Sequence, residues 1–172
     1  FTCAYAGNLR NIAKTLRQLE EISGSSKIEI AHEMEDLLAG SVELYEDAAR
    51  KQALLAGYAK KCEHNISGDT IVVRLDQLAA NLEEKADWMM KNIPANEWVK
   101  DGEDGWFNGY YDNHGRKVEG VMDESVRMML TGQVFAIMSG TATEDQVESI
   151  CRSADKYLYD QKAGGYRLNT NF

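Results

Sequence analysis

Apolar side chains spaced three and four residues apart govern what this sequence can become. Over residues 3–22 the side chains Tyr5, Leu9, Ile12, Ala13, Leu16, Leu19 and Ile22 fall on one stripe, the mark of an amphipathic helix that must bury that face against a neighbour. Ser23, Gly24, Ser25 and Ser26 stop it. Ile28, Ala31, Met34, Leu37 and Leu38 repeat the spacing in a second predicted helix, closed by Gly40, with Ser41 as the next N-cap. A third predicted helix spans about residues 42–61. The pattern then collapses, and the β-branched run Thr70, Ile71, Val72 and Val73 reads as a short strand or extended link. A fourth helix is expected over about residues 75–92, with Leu78, Leu82, Ala86, Met89 and Met90 on one side. Pro94, the only proline, is expected to end it.

Beyond the proline the character changes to glycines, aromatics and Asp or Asn. Residues 98–120 predict a hairpin or long structured loop, turning at Asp112, Asn113, His114 and Gly115. Two further helices follow, over about residues 124–138 and 144–159. The latter opens with Thr143 and Gln146, the spacing of a capping box. Residues 164–172 read as loop or strand. The sum is a mainly-α architecture of about six helices with short connections. No repeat of constant period is present, which disfavours a solenoid and leaves a bundle or an α/α toroid.

Length and charge narrow the functions. A chain of 172 residues is one domain or a piece of a larger one; it starts at Phe1 without an initiator Met and reads as a segment of something longer. The 28 acidic against 19 basic residues, a net charge of −9, repel nucleic acid phosphates and anionic lipid headgroups. No apolar run approaches the roughly 20 residues a membrane-spanning helix requires, and the first residues lack the pattern of a secretion signal. Cys3, Cys62 and Cys151 are odd in number and form no C-x-x-C pair. They are expected to be idle reduced thiols of a cytoplasmic protein. Phosphate-binding glycine loops, nucleophile elbows and H-E-x-x-H are missing, so no cofactor and no metal is expected. His32, His64 and His114 lie in polar contexts that read as solvated.

One stretch stands apart. Residues 104–113 put Trp106, Phe107, Tyr110 and Tyr111 beside the carboxylates Asp104 and Asp112 and the amides Asn108 and Asn113. Sugars are bound by this mixture: an aromatic ring stacks on the C–H face of a pyranose while carboxylates and amides hydrogen-bond adjacent hydroxyls. The alternative is an aromatic minicore that locks a loop to the helices, and composition alone favours it.

Residues 106–115, followed by Gln133, Val134, Phe135 and then Ser139, Gly140, Thr141, Ala142 and Thr143, resemble the W-Y-x-R-A-Y-D-D-x-G … Q-x-W-x-x-x-S-G-x-A-T stretch of glycoside hydrolase family 94. These are inverting glycoside phosphorylases with cyclic β-1,2-glucan synthase relatives. The likeness runs over about residues 88–172, and the ending at Gly164, Gly165, Tyr166, Arg167, Leu168 and Asn169 is similar to the branch that includes 1,2-β-oligoglucan phosphorylases. The resemblance implies an (α/α)6 barrel, of which residues 1–172 would be one segment. It implies a bacterial enzyme of carbohydrate metabolism that cleaves β-linked gluco-oligosaccharides with inorganic phosphate as co-substrate, giving an α-sugar 1-phosphate. Asp87 and Trp88 share only a pair with the family's D-W-N-D acid motif and sit in an apolar-striped helix, so the catalytic acid is expected upstream of Phe1. Trp106, Phe107, Asn108, Tyr110, Tyr111, Asp112, Gln133 and Arg167 are the expected substrate-binding residues. Where the family has Arg before its Ala-Tyr-Asp this chain has Asn108 and Gly109, and Phe135 stands where the family has Trp; both point away from cellobiose and towards β-1,2-glucans. The expected partners are the glucan, phosphate and the rest of the barrel. Apolar helix faces left uncovered in the piece alone leave a homo-oligomer open. A helical hydrolase of the same barrel type would need a second carboxylate to activate water. The rival from another class is a non-catalytic helical module that binds carbohydrate or protein.

Overall fold

A computed structural model describes residues 1–38, 40–122 and 125–171. The protein is mainly helical, with seven α-helices and four two-stranded antiparallel pairs among the described residues. By contacts it divides into two compact units, Leu9–Trp88 and Phe1–Asn8 together with Met89–Phe172. Two long helices, α1 (Thr2–Ser23) and α5 (Leu75–Glu97), each contribute residues to both.

In the unit Leu9–Trp88, the α1 stripe does what its period requires. Ala13 and Leu16 pack on Leu75 and Ala79 of α5, with Ile28, Leu78 and Leu82 around them. Arg10 pairs with Asp87 at 2.6 Å and Arg17 with Glu83 along the rim of the same contact. Gly24, at φ 66°, closes α1 by donating its N–H to Glu20 O at 3.0 Å. The predicted helix over residues 28–38 does not form. Lys27–Ala31 is a strand, β1, paired antiparallel with β2 (Thr70–Arg74), Ile28 opposite Val73 and Ile30 opposite Ile71. The spacing hid an alternation, Ile28 and Ile30 inward between exposed Lys27 and Glu29, and a long-range partner decided the outcome. Only a 3₁₀ turn, His32–Met34, and the four-residue α2 (Glu35–Leu38) follow. The third predicted helix breaks in two, α3 (Val42–Glu46) and α4 (Ala48–Lys61). Asp47 takes an extended conformation and accepts the Arg50 N–H as N-cap of α4.

Pro94 does not end its helix. It removes the bond that would reach the Met90 carbonyl, yet α5 runs on to Glu97. Ile93 packs against Phe107, Ala136 and Ile150, and Asn96 Nδ2 donates to Asn92 O at 3.0 Å, so packing outweighs the lost bond.

The unit Phe1–Asn8 with Met89–Phe172 is organised by a hairpin, β3 (Trp98–Asp101) and β4 (Asp104–Phe107), turned at Gly102 with φ 63°. Consecutive strand residues face opposite ways, so β4 serves two cores. Trp106 joins Met128, Ala154 and Leu158, and Phe107 joins Ala136 and Ile150. A helix predicted over residues 124–138 begins later. Glu124 lies outside the described residues, Val126–Arg127 (β6) pairs with Gly120–Val121 (β5), and α6 spans Leu130–Met138. Helix α7 (Glu144–Tyr157) opens with the expected capping box of Thr143 and Gln146. It ends two residues early because Tyr159–Asp160 (β7) pairs with Gly165–Tyr166 (β8).

Side chains from the two helices close the free edge of β4. Ser153 Oγ of α7 donates to Gly105 O and accepts from Gly105 N, each at 3.0 Å. Gln133 of α6 does the same for Phe107. A strand edge that would otherwise bury unpaired backbone groups is thereby satisfied without a third strand.

Candidate functional site

The end of β4 delivers the chain into the loop that carries most of the expected binding residues. Asn108, 5% exposed, continues the hairpin by one step, its N–H donating to Glu97 O at 2.8 Å. Its side chain spans two acids: Nδ2 donates to Glu97 Oε2 at 2.9 Å, and Oδ1 accepts the Glu119 N–H at 3.2 Å. Gly109 N donates to Glu119 Oε1 and Met129 N to Glu119 Oε2, both at 2.7 Å. Glu119 is 1% exposed. Burial pushes its carboxyl up to about 7, against the opposite pull of the Met129 and Gly109 N–H groups.

Tyr110 and Tyr111 then stand out from this base, 49% and 51% exposed. The Tyr111 hydroxyl donates to the Glu97 carboxylate, 2.7 and 2.9 Å from its two oxygens, and this bond, with burial behind it, pushes the phenol up to about 12. Backbone closes the loop through Val118 N donating to Tyr110 O at 2.9 Å and the bridge between Tyr111 and Lys117. Asp112 makes the turn: Oδ1 accepts from His114 N at 2.8 Å and Arg116 N at 2.9 Å, and Oδ2 from Arg116 Nε at 2.7 Å. The Arg116 N–H, chief among these donors, holds its carboxyl below the usual range.

The other expected residues serve the frame. Trp106 is fully buried, its Nε1 donating to Arg127 O at 3.1 Å, and Phe107 is 2% exposed. Their ring faces are covered by core side chains, so neither offers a stacking platform in this structure; the aromatic minicore describes these two. Gln133, 1% exposed, spends its amide on Phe107 and on Met129 O. Arg167 grips Asp160 Oδ2 from Nε at 3.1 Å and from its terminal nitrogen at 2.7 Å, which staples the β7–β8 hairpin. The structure therefore gathers Asn108, Tyr110, Tyr111 and Asp112 on one loop, sets Trp106, Phe107 and Gln133 beneath its first residues, and commits Arg167 to a separate hairpin.

Glu97 and Glu119, the two acids that anchor the loop, were not legible as site residues. Glu97 closes a helix expected to have ended by Asn92, and Glu119 follows Lys117 and Val118 like an ordinary solvated charge. The one local signal is Gly109, where an added Cβ would stand 3.1 Å from Glu119 Oε1.

This arrangement suits binding more than bond cleavage. Both Glu119 oxygens are occupied by backbone N–H groups, whereas Tyr110 and Tyr111 are half exposed, the latter with its hydroxyl on the partly exposed Glu97 carboxylate. Among the described residues no group of three or more His, Cys, Asp or Glu is placed to hold a metal ion, and no helix is long and apolar enough to cross a membrane.

No curated protein matches the chain. The model of one family, described as the Glycosyl hydrolase 94 superfamily, catalytic domain, matches residues 72–171. That span takes in the whole β3–β4 hairpin, the tyrosine loop with both of its anchoring acids, α6 and α7. With more than half of its length so matched, the chain belongs to the Glycosyl hydrolase 94 superfamily.

Proposed function

We propose that this chain is part of the catalytic domain of an inverting glycoside phosphorylase that cleaves β-linked gluco-oligosaccharides, β-1,2-glucans in particular. The observation that carries the reading is the family match across residues 72–171, which runs through a loop whose backbone is pinned while its tyrosine rings stay open. In such a reaction an acid protonates the glycosidic oxygen as the bond from that oxygen to the anomeric carbon breaks. Phosphate forms the new bond to the same carbon from the opposite face, leaving an α-sugar 1-phosphate. Tyr110 and Tyr111 supply stacking faces for a glucosyl unit, the Glu97 carboxylate accepts a hydroxyl beside them, and Asn108 holds the loop at its base. Trp106, Phe107 and Gln133 keep that base rigid from behind. The acid that transfers the proton and the groups that hold phosphate belong to the rest of the barrel. Three unpaired cysteines favour a reducing, cytoplasmic setting.

The test uses the full-length protein encoded by the gene. β-1,2-, β-1,3- and β-1,4-linked gluco-oligosaccharides are supplied with and without inorganic phosphate, and sugar 1-phosphate is followed together with its anomeric configuration. Phosphate-dependent release of the α-anomer from the β-1,2 series is expected. Release of free glucose without phosphate would make the protein a hydrolase. Glucan binding with no turnover under either condition would make it a non-catalytic module.

A further inference from the structure

Two backbone N–H groups converge on Glu119 from separate segments, Gly109 at the start of the tyrosine loop and Met129 at the N-cap of α6. A carboxyl group offers each of them an acceptor oxygen, and once ionised it presents no donor. An amide would set an NH₂ against one N–H, and an apolar side chain would orphan both. The site is an expensive one for a charge, since Glu119 is 1% exposed and burial pushes its carboxyl up to about 7 even against the pull of the two N–H groups. A group kept at such a place against its own solvation is held there by what it fixes. What it fixes is the start of a loop whose two tyrosines are half exposed and whose Tyr111 hydroxyl is tied to Glu97. Gly109 completes the fit, because any side chain there would crowd Glu119 Oε1.

We propose that Glu119 is a positioning residue for sugar binding: its buried carboxylate bridges Gly109 and Met129 and so holds Tyr110 and Tyr111 in the orientation that receives a glucosyl unit. The proposal rests on the glucan-binding reading of the loop. Glu119 itself does not reach the sugar. Its contribution is preorganisation, which removes the cost of ordering the loop at the moment of binding.

The experiment measures β-1,2-linked glucotriose binding to the full-length protein by titration calorimetry, with phosphorolysis kinetics and melting temperature recorded beside it. Glu119→Gln is nearly isosteric and removes one of the two acceptors; it is expected to weaken glucotriose binding about tenfold and to leave the KM for phosphate unchanged. Gly109→Ala displaces Glu119 Oε1 without deleting the carboxylate, and it should weaken glucotriose binding several-fold with little change in melting temperature. That second variant decides the matter if Glu119→Gln does not fold. Unchanged glucotriose binding in the folded variants overturns the proposal, and so does an equal loss of glucan and phosphate affinity, which would report a general loss of folded protein. A wild type that binds glucotriose but does not phosphorolyse it defeats the phosphorylase reading while the binding comparison still judges Glu119. A wild type that binds no β-gluco-oligosaccharide defeats both.

Discussion

Gln133 holds the backbone of Phe107 by both of its polar groups: Phe107 N donates to Gln133 Oε1 at 2.7 Å, and Gln133 Nε2 donates back to Phe107 O at 2.9 Å. The pair does the work of a missing neighbouring strand. Gln133→Leu keeps the volume and removes both partners, leaving two buried backbone groups unpaired at about 1 to 3 kcal/mol each. Gln133→Glu retains the acceptor but turns an oxygen towards the Phe107 and Met129 carbonyls. Both variants are expected to lower the urea midpoint strongly with an unchanged slope. A midpoint within experimental error of the wild type for either would show that the strand edge has another partner.

The burial of Trp106 separates two explanations of the aromatic stretch. With no exposed surface and its Nε1 donating to Arg127 O, Trp106→Ala opens a cavity and should cost about 3 to 5 kcal/mol. Tyr110→Ala, at a half-exposed ring, should barely move stability and should weaken glucan binding. The order of effects is the test. If Trp106→Ala kept its melting temperature and lost only glucan affinity, the indole would be a sugar platform and its covered position would be wrong.

How much of this was legible depended on the range of the interaction that decided each element. Helices α1 and α7 were readable because a stripe or a capping box is written within a few residues. The strand Lys27–Ala31 was not, because its partner Thr70–Arg74 lies more than 35 residues away and the apolar spacing of Ile28 and Ala31 fits a helix as well. The persistence of α5 past Pro94 follows from the packing of Ile93, which no local rule contains. In the site, the aromatic and amide residues stood out by composition. Which of them face solvent was set by the pleat of β4 and by α6 and α7 behind it, so composition grouped Trp106 with Tyr110 although they have opposite exposures. Glu97 and Glu119 became site residues only through the distances that join them to Asn108, Gly109 and Tyr111.

The capping box of α7 allows a small and well-bounded prediction. Thr143 Oγ1 accepts from Gln146 N at 3.3 Å and Gln146 Oε1 accepts from Thr143 N at 3.0 Å. Both bonds are exposed, and the two residues are remote from the tyrosine loop in sequence. Thr143→Ala should cost about 1 kcal/mol, read as a drop of a few degrees in melting temperature, with glucan binding unaltered. Thr143→Ser should restore most of the loss, and failure of that rescue would mean the hydroxyl is not the stabilising group.

Glu119 also sets a pH window for stability. In the unfolded chain its carboxyl ionises near the ordinary 4.5, whereas in the fold burial keeps the proton on until about 7. Between those values the folded state binds more protons than the unfolded state, so stability must fall as pH rises, by roughly 3 kcal/mol in all if Glu119 acts alone. Asp112 and Asp160 act in the opposite sense and in another window. The Arg116 N–H beside Asp112 and the Arg167 guanidinium beside Asp160 hold their carboxyls below the usual range, so their stabilisation is present above about 4 and is lost as pH falls further. Between pH 5 and 7 Glu119 therefore contributes a falling slope that a comparison with its Gln variant isolates. Denaturation of the full-length wild type and of Glu119→Gln across pH 5 to 8 checks this: the variant starts less stable, because one N–H has lost its acceptor, and the gap narrows as the wild type ionises. Parallel profiles would sink the assignment, since they would mean that the buried carboxyl has already given up its proton at pH 5 and that the Gly109 and Met129 N–H groups outweigh burial.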